Sequence, residues 1–392
     1  MRALEILHDE IRQSIPFMHA ARWTALWRTV LALVSGKKLW LTALGRALPS
    51  DAMGKHAIKA VDRLLGNKLL YRDRRRIAAA IARLVIKQRA AVLVLVDTVE
   101  IRHKVIGFVA SIAHQGRSIP IWSTKVRSYR VKASGCRAFL DGLRAVLPPD
   151  CRPTLITDGG FEAEWFDYVQ SLGWDYIGRV RGANKFIDLD GRKLSCPDLH
   201  RTAGRRARNV RGLAFPAKKP RSRRVVLSKP PVSRHRRKKT RRGLDNDTNY
   251  RHYRKNAHEP LILTTSLTCR PQKIVDLYAV RMQIEQNFRD LKNHRWGWSL
   301  RHCRSRSKQR IELLLLIGAL ATLVQHVVGY AGELGNLHHR HQANTVRTRR
   351  VLSFFVLGGH ILARGRDDIG QRAIERALAR LRFDVSTLAP PR

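Results

Sequence analysis

Three acidic side chains occur where the chain could bring them together. Asp97 ends the apolar run AAVLVLVD, and Asp158 ends the shorter run PTLITD. Glu285 comes much later, in a stretch with helical periodicity. Strand ends in a parallel or mixed sheet open onto a common crevice, so the aspartates could meet there and a helix could deliver the glutamate. Carboxylate oxygens suit hard divalent cations, so the sequence predicts Mg²⁺ or Mn²⁺ at these three residues.

A site of this kind has a specific chemistry. Two divalent ions roughly 3.5 to 4 Å apart can activate a water or a 3′ hydroxyl and stabilise the leaving oxygen in an in-line phosphoryl displacement. Taken singly, Asp97 also fits a strand-end cap, and Asp158 fits a turn residue before two glycines. The combination of three carboxylates in a strongly basic chain favours the two-metal interpretation over these separate roles.

The stretch around Glu285, LYAVRMQIEQNFRDLKNHRWGWSL (277–300), has the pattern of one long helix. At 100° per residue, Tyr278, Arg281, Glu285 and Lys292 share one narrow face. A neighbouring apolar stripe would dock this helix on a core. The polar residues therefore belong at the rim of the packed face. A simple row of surface ion pairs would show the same spacing.

Charge indicates the class of ligand. The chain has 392 residues, with 76 Lys and Arg against 30 Asp and Glu, and a formal net charge of +46. Such self-repulsion favours a polyanionic partner, and nucleic acid is the obvious one. An architectural or ribosomal-type protein, or a protein of a membrane surface, would share this charge. The charge therefore names a ligand class and no activity.

The remaining composition indicates a cytosolic protein. The five cysteines form no CxxC pair, which argues against a disulfide framework or a zinc site. The first residues lack the apolar core of a secretory signal. The longest apolar run, 313–324, is short for the ~20 residues of a membrane span, so it predicts a buried core helix. We expect a cytoplasmic protein with no membrane partner.

The order of elements predicts an α/β fold with several domains. Residues 1–88 are helical and basic, which is typical of a DNA-binding domain or of a docking and dimerisation module. From residue 91 the pattern is three strands, a helix, a strand, a helix and a strand, the order of a ribonuclease H-like core. The predicted domains are the helical domain (1–88), the first part of the core (89–182), a basic β-rich insertion (183–258), the second part of the core (259–330) and a helical C-terminal region (331–392).

A known family shares the spacing around Glu285. Tyr278, Arg281, Glu285 and Lys292 fill the pattern Y-x2-R-x3-E-x6-K. In this pattern the chain resembles the DDE transposases of bacterial insertion sequences, in the cut-and-paste group of insertion-sequence family four. The stretches that resemble relatives of the Tn-ten element are VDRLLGNKLL (61–70), HQGRS (114–118), RMQIEQNFRDLK (281–292) and QANTVRTRRVLS (342–353). The resemblance covers nearly the whole chain.

The resemblance implies a fold and a reaction. The fold would be a ribonuclease H-like core interrupted by a β insertion, with a helical end-binding domain before it and a C-terminal region that helps to form a homodimer on paired ends. Two Mg²⁺ or Mn²⁺ ions would serve a site that nicks the element end. The freed 3′ hydroxyl would then form a hairpin, water would reopen it, and the excised end would join target DNA.

The resemblance also implies roles for individual basic and aromatic residues. Tyr278, Arg281 and Lys292 would bind phosphates around the terminal nucleotides, which suits a phenol, a guanidinium fork and an ammonium. Arg102 and Arg117 match arginines of the resembling sequences and would contact DNA.

One position departs from the resembling sequences. These sequences often have a Trp after Glu-Pro, where this chain has Leu261. A base flipped out of a hairpin would then stack elsewhere. Trp296 and Trp298 are the candidates, and core packing is the alternative interpretation for both.

Two other functions use the same features. A DNA-binding protein without chemistry, such as a decayed transposase that still pairs element ends, explains the charge but gives no reason to keep three carboxylates and the full spacing. A stand-alone ribonuclease H-type nuclease explains the core but leaves the helix of Glu285 and the long flanking domains unexplained. The sequence therefore predicts a cytoplasmic, nucleoid-associated transposase with double-stranded DNA of element ends and targets as its partners.

Overall fold

A computed structural model describes residues 2–102, 104–129, 131–229, 259–343, 345–365 and 369–389. The chain divides into two compact units. Unit 1 contains residues 1–154 and 280–392, and unit 2 contains residues 155–279. The fold is mixed α/β, as the sequence predicts. The most basic run of the predicted insertion, SRHRRKKTRRG, lies outside the described residues.

Helices open unit 1 and strands follow them. The helical pattern predicted for the first residues is observed, with several amphipathic helices before the first strand. The elements up to residue 157 are α1 (Arg2–Gln13), α2 (Ala20–Gly36), α3 (Leu41–Arg46), α4 (Gly54–Gly66), α5 (Lys68–Val85), β1 (Ala91–Arg102), β2 (Val105–His114), β3 (Arg117–Val126), α6 (Ala133–Arg144) and β4 (Arg152–Thr157).

Strands β1, β2 and β3 form an antiparallel meander in unit 1, in the order β3-β2-β1. β2 is buried along its whole length, which explains its continuous apolar sequence. β1 extends past the apolar run to Arg102, so Asp97 lies within the strand, opposite Val109, and not at its end. The expectation of a strand-end position was wrong because the second half of β1 alternates between buried and exposed residues, as in a strand with one buried face.

Unit 2 contains the end of β4 and the next set of strands. β10 pairs antiparallel with both β5 and β9, and β9 pairs with β8. Along the chain, three strands, a helix, a strand, a helix and a strand follow one another as predicted. The elements of unit 2 after β4 are α7 (Ala163–Ser171), β5 (Asp175–Arg179), β6 (Lys185–Ile187), β7 (Lys193–Ser195), α8 (Cys196–Arg201), β8 (Arg208–Val210), β9 (Arg224–Ser228), β10 (Leu261–Thr265) and α9 (Pro271–Ala279).

The last part of the chain returns to unit 1 and is helical. Its helices are α10 (Met282–Lys292), α11 (Lys308–Leu334), α12 (His338–His341), α13 (Phe354–Arg364) and α14 (Gln371–Leu388), with a 3₁₀ turn at Leu300–His302. α11 and α13 touch at their backbones: a Cβ on Gly329 would lie 2.0 Å from the Phe354 carbonyl oxygen. Only glycine permits this approach, which brings the two helices into direct contact.

The 27-residue helix α11 is the core helix predicted from the apolar run. By length and composition it could cross a membrane, but its apolar window is completely buried inside the structure. Its residues from Ile311 to Gly332 are all buried. A helix that is apolar on every side belongs inside a large core.

The predicted long helix over 277–300 is two helices. α9 ends at Ala279 and α10 begins at Met282, and the boundary between the units falls in the turn between them. Tyr278 therefore lies on a different helix from Glu285 and Lys292, and a common face for all four residues was wrong. No Gly or Pro marks this turn, so the residue pattern carries no signal for it.

The end of α10 has a local cause. The Asn293 side chain accepts hydrogen bonds from the backbone N–H groups of Arg295 (2.7 Å) and Trp296 (3.0 Å). This competes with continuation of the helix. The chain then folds back, and a Cβ on Gly297 would lie 1.6 Å from the Asp290 carbonyl oxygen. The fold-back explains why the helix stops well before residue 300.

A buried glutamate ties three elements of unit 1 together. Glu312, 1% exposed, lies on α11. Its carboxylate accepts hydrogen bonds from the Tyr71 hydroxyl at 2.7 Å and the Lys125 backbone N–H at 3.0 Å, and it pairs with the Arg74 guanidinium at 3.0 Å. Burial and the bond to Glu312 raise the pKa of Tyr71 to about 12. One carboxylate thus joins α5, β3 and α11.

Glu312→Ala should destabilise the protein strongly, because it leaves the largely enclosed Arg74 side chain, 16% exposed, without its carboxylate. Loss of one partner of a buried pair costs roughly 3–5 kcal/mol. Chemical denaturation followed by circular dichroism would measure the change in the free energy of unfolding. Glu375→Ala, at an exposed position on α14, is the control and should stay within about 0.5 kcal/mol of the wild type. Equal effects for both variants would contradict the assignment.

Candidate catalytic site

Two of the predicted carboxylates meet in unit 1 at one arginine. Asp97 comes from β1 and Glu285 from the first turn of α10. The Arg281 guanidinium lies between them, with Nη1 3.3 Å from an Asp97 oxygen and Nη2 2.5 Å from a Glu285 oxygen. The fold therefore brings together two acids that are far apart in the sequence, with a cation between them.

The exposure of these side chains differs. The Arg281 side chain is 9% exposed, whereas the Glu285 side chain is 44% exposed. Arg281 and Glu285 are also an i, i+4 pair, the ion-pair arrangement that the spacing allowed as the simpler interpretation. Because the same arginine also reaches Asp97 on a different element, the contact is not a simple row of surface ion pairs along one helix.

The donor chemistry of this pair fits a hard divalent cation. Both carboxylates offer oxygen ligands, the kind that Mg²⁺ and Mn²⁺ prefer, and the exposed Glu285 leaves access from solvent. Within the described ranges, no group of three or more His, Cys, Asp or Glu side chains is placed to hold a metal ion as it stands. Arg281 places a positive charge beside both carboxylates.

The third carboxylate, Asp158, lies in unit 2, directly after β4. One of its oxygens is 3.3 Å from the Arg181 guanidinium, and the other accepts a hydrogen bond from the Tyr278 hydroxyl at 3.4 Å. The sequence places Asp158 correctly at a strand end and selects Tyr278 as a site residue. It gives no signal for Arg181, which approaches Asp158 only through the fold of unit 2.

Helix α10 is fixed to β3 by polar contacts on the side away from Glu285. The Arg117 Nε donates to the buried Asp290 carboxylate at 2.7 Å, and the Asn287 amide donates to the Ser118 carbonyl at 3.1 Å. Burial raises the pKa of Asp290, and Arg117 opposes that rise. Arg117, which the sequence selects as a DNA contact, thus lies in an internal ion pair. This pair positions the helix that carries Glu285.

A groove of about 520 Å³ runs along the second half of β1 in unit 1. Lys292 and Arg102, both selected from the sequence, line it together with Arg301. Burial, and then the nearby Arg301, lower the pKa of Lys292. The groove thus collects three cationic side chains next to the strand that carries Asp97.

The same groove holds two residues that the sequence analysis missed. Tyr129, 51% exposed, donates a hydrogen bond of 2.8 Å to the Glu100 carboxylate. Glu100 is recognisable only as one of the exposed positions in the alternating half of β1, and Tyr129 has no pattern that distinguishes it. Their proximity to the cations depends on the fold.

The two candidate stacking residues occupy different environments. Trp298 is 1% exposed, donates a hydrogen bond of 3.0 Å to the Thr322 hydroxyl and packs edge-on against Phe355. That is the environment of a core residue, the alternative considered for it. Trp296 is 60% exposed and is accessible to a ligand.

Known proteins and families were compared with this chain by sequence and by fold. The family profile described as "Transposase DDE domain" matches residues 116–323, more than half of the chain. No curated protein matches the sequence. Among solved structures, the chain is similar to a cryo-electron microscopy structure of a piggyBac transposase synaptic complex with hairpin DNA, with 10% sequence identity and a TM-score of 0.40. That match covers 99% of this chain and 83% of the other.

The matched segment includes Asp158, Arg281 and Glu285, and Asp97 lies before it. Because the profile match covers more than half of its length, the chain belongs to the family of DDE-domain transposases.

Proposed function

We propose that the protein is a cut-and-paste transposase of the insertion-sequence family four type, related to the Tn-ten element. It binds the terminal repeats of an insertion sequence, cleaves the element ends through a hairpin and joins them to target DNA. The observation that carries this proposal is the meeting of Asp97 and Glu285 in unit 1, within a chain of the DDE transposase family. Carboxylates gathered in a +46 chain suit phosphoryl transfer on DNA.

Asp97, Asp158 and Glu285 would hold two divalent ions, Mg²⁺ or Mn²⁺. The ions would supply activation of the attacking oxygen and stabilisation of the leaving oxygen. The protein's own contribution is to fix the carboxylates. β1 and α10 present Asp97 and Glu285, and the Arg117–Asp290 pair holds α10 in place.

Basic side chains around the carboxylates bind the DNA backbone. Arg281, Lys292 and the Tyr278 hydroxyl contact phosphates near the terminal nucleotides, and Arg102 and Arg301 extend this surface along the groove. Trp296 is the exposed aromatic candidate for stacking an extruded base. The charge of the groove supports these assignments, since phosphate contacts dominate the affinity of proteins for DNA.

Residues 1–88 form the end-binding domain in this proposal, and α4 is its DNA-contacting helix. Lys55, Lys59 and Arg63 are all exposed and follow one another at intervals of one helical turn. The opposite side of α4 is buried, so the helix turns its three basic side chains to solvent, beside a partly exposed Asp62 that pairs with Arg310. At 13 residues it is about 20 Å long, and the major groove of DNA admits such a helix.

The other regions have roles in assembly on DNA. The insertion, residues 183–258, holds DNA along its basic length, and residues 331–392 help to form a homodimer on paired ends. The core comprises residues 89–182 and 259–330. The protein would act in the cytoplasm, at the nucleoid.

Asp97→Asn and Glu285→Gln should abolish cleavage of a labelled duplex that carries the element's terminal repeat, while binding of that duplex persists. When catalytic residues act as a unit, removal of one of them typically lowers the rate on the order of 10³-fold or more. Denaturing gels in the presence of Mg²⁺ would measure cleavage, and gel shifts would measure binding. Glu164→Gln, an exposed carboxylate on α7, is the matched control. Cleavage by either site variant at the wild-type rate would contradict the proposal.

Lys59→Ala combined with Arg63→Ala should weaken binding of the terminal repeat. Each lost phosphate contact should also reduce the slope of log affinity against log salt by about 1. Fluorescence anisotropy at several salt concentrations would measure both quantities. Arg372→Ala on α14 removes an exposed arginine elsewhere and is the control. An unchanged salt slope in the double variant would exclude α4 as a phosphate-contacting helix.

Arg117→Ala tests whether this arginine positions α10 or contacts DNA. A positioning role predicts that DNA affinity stays unchanged, that the cleavage rate falls, and that half-maximal cleavage requires more Mg²⁺. A displacement of about 1 Å at a reacting group can cost roughly 100-fold in rate. Arg117→Lys should restore part of the rate, and Arg289→Ala on the exposed side of α10 should change little. Loss of DNA affinity with an unchanged Mg²⁺ dependence would support the DNA contact instead.

A further inference from the structure

The Arg281 side chain has two charged partners at once, and both are proposed metal ligands. Its two terminal nitrogens point to different carboxylates, Asp97 at 3.3 Å and Glu285 at 2.5 Å. With a side chain only 9% exposed, the guanidinium is largely withdrawn from solvent. The arginine thus uses its fork to bridge two acids on different elements, as a shared cation would.

This arrangement conflicts with a divalent ion on the same oxygens. The two carboxylates and the guanidinium together carry a net charge of −1, and an added divalent ion would face a positive charge at close range. Like charges a few ångströms apart repel more strongly in a partly buried site than in water, because the effective dielectric constant there is about 20 and not about 80. The arginine also occupies carboxylate oxygens that the ion needs. Arg281 and the ion therefore compete.

A DNA phosphate can resolve the competition. Guanidinium groups bind phosphate as well as carboxylate, through the same two-pronged geometry. A phosphate placed beside the site would offer Arg281 a new partner and leave Asp97 and Glu285 to the metal. Binding of DNA and binding of the ion would then favour each other, and by linkage the effect must be reciprocal.

We infer that Arg281 is an exchangeable counter-cation of the catalytic carboxylates: it holds Asp97 and Glu285 together until a DNA phosphate takes it over, so that the divalent ion and the DNA end bind cooperatively. This inference rests on the proposed role of Asp97 and Glu285 as metal ligands. It gives Arg281 a positioning role before DNA arrives and a phosphate-binding role afterwards. It also explains how part of the negative charge of the two carboxylates is offset away from DNA.

The position of Arg281 suits such an exchange. It is the residue just before α10, in the turn that follows α9, and its backbone has helical angles. Nη2 also lies 3.9 Å from the Met282 sulfur, a weak contact, and Met282 itself is 49% exposed. A guanidinium at the start of a helix can change partner by rotation of its side chain, without moving the strand or the helix that carry the carboxylates.

The test is the affinity of the full chain for Mn²⁺, measured by electron paramagnetic resonance of the free ion, without DNA. Arg281→Gln removes the competing charge, so it should bind Mn²⁺ on the order of 10-fold more tightly than the wild type, within the usual range of coupling between sites. Arg281→Lys should lie between the two. Arg289→Gln removes an exposed arginine from the same helix and should match the wild type.

A second arm adds a precleaved duplex of the terminal repeat, which leaves no bond to cut. The duplex should tighten Mn²⁺ binding by the wild type and should have a much smaller effect on Arg281→Gln. Equal Mn²⁺ affinities for wild type and Arg281→Gln without DNA would overturn the inference. The inference would also fail if the double variant Arg281→Gln with Asp97→Asn kept the increased Mn²⁺ affinity, because the ion would then not be bound by Asp97. Circular dichroism would confirm that each variant is folded.

The Mn²⁺ affinities test this inference separately from the proposed transposase activity. Tighter Mn²⁺ binding by Arg281→Gln together with no cleavage of any terminal repeat by the wild type would support the exchange and reject the transposase activity. Cleavage by the wild type without any change in Mn²⁺ affinity on removal of Arg281 would do the reverse.

Discussion

Repulsion between the carboxylates of Asp97 and Glu285 is the constraint on which this site depends. Two anions from different elements stay close only with a positive charge between them, and Arg281 supplies it in the structure. The rest of unit 1 keeps these three side chains in position. Asp97 is fixed within β1, and α10 is fixed to β3 through Arg117 and Asn287. The site is therefore built on rigid elements, as a site for precise chemistry must be.

A comparable arrangement occurs deeper in unit 1, where the buried Glu312 pairs with Arg74 and accepts hydrogen bonds from three further donors. Among the residues that the structure describes, the buried acids Asp73, Asp290 and Glu312 each pair with an arginine. The difference lies in solvent access. Glu312 is closed off and serves structure, whereas Glu285 is nearly half exposed and remains available to a ligand. Burial thus separates a structural acid from a candidate catalytic one.

Local pattern was sufficient for much of the fold. Continuous apolar runs identified the first half of β1 and the core helix α11, and Asp158 was placed correctly at the end of β4. Pattern failed where the cause was tertiary or unmarked. β1 continued past Asp97 because one face stays buried, and the helix of Glu285 begins after an unmarked turn at Arg281. Pairs such as Arg117 with Asp290 join distant segments, so spacing could not reveal them.

The candidate site, like the fold, could be predicted from the sequence only in part. The spacing around Glu285 selected the residues that the proposal uses, but only the fold showed that Arg281 also reaches Asp97. The most direct test of the central claim is a crystal structure of the protein with Mn²⁺ and a precleaved duplex of its terminal repeat, analysed by anomalous scattering. The proposal predicts manganese peaks bound by Asp97, Asp158 and Glu285 beside the terminal phosphate. Manganese bound elsewhere, with these carboxylates still engaged only by protein side chains, would contradict it.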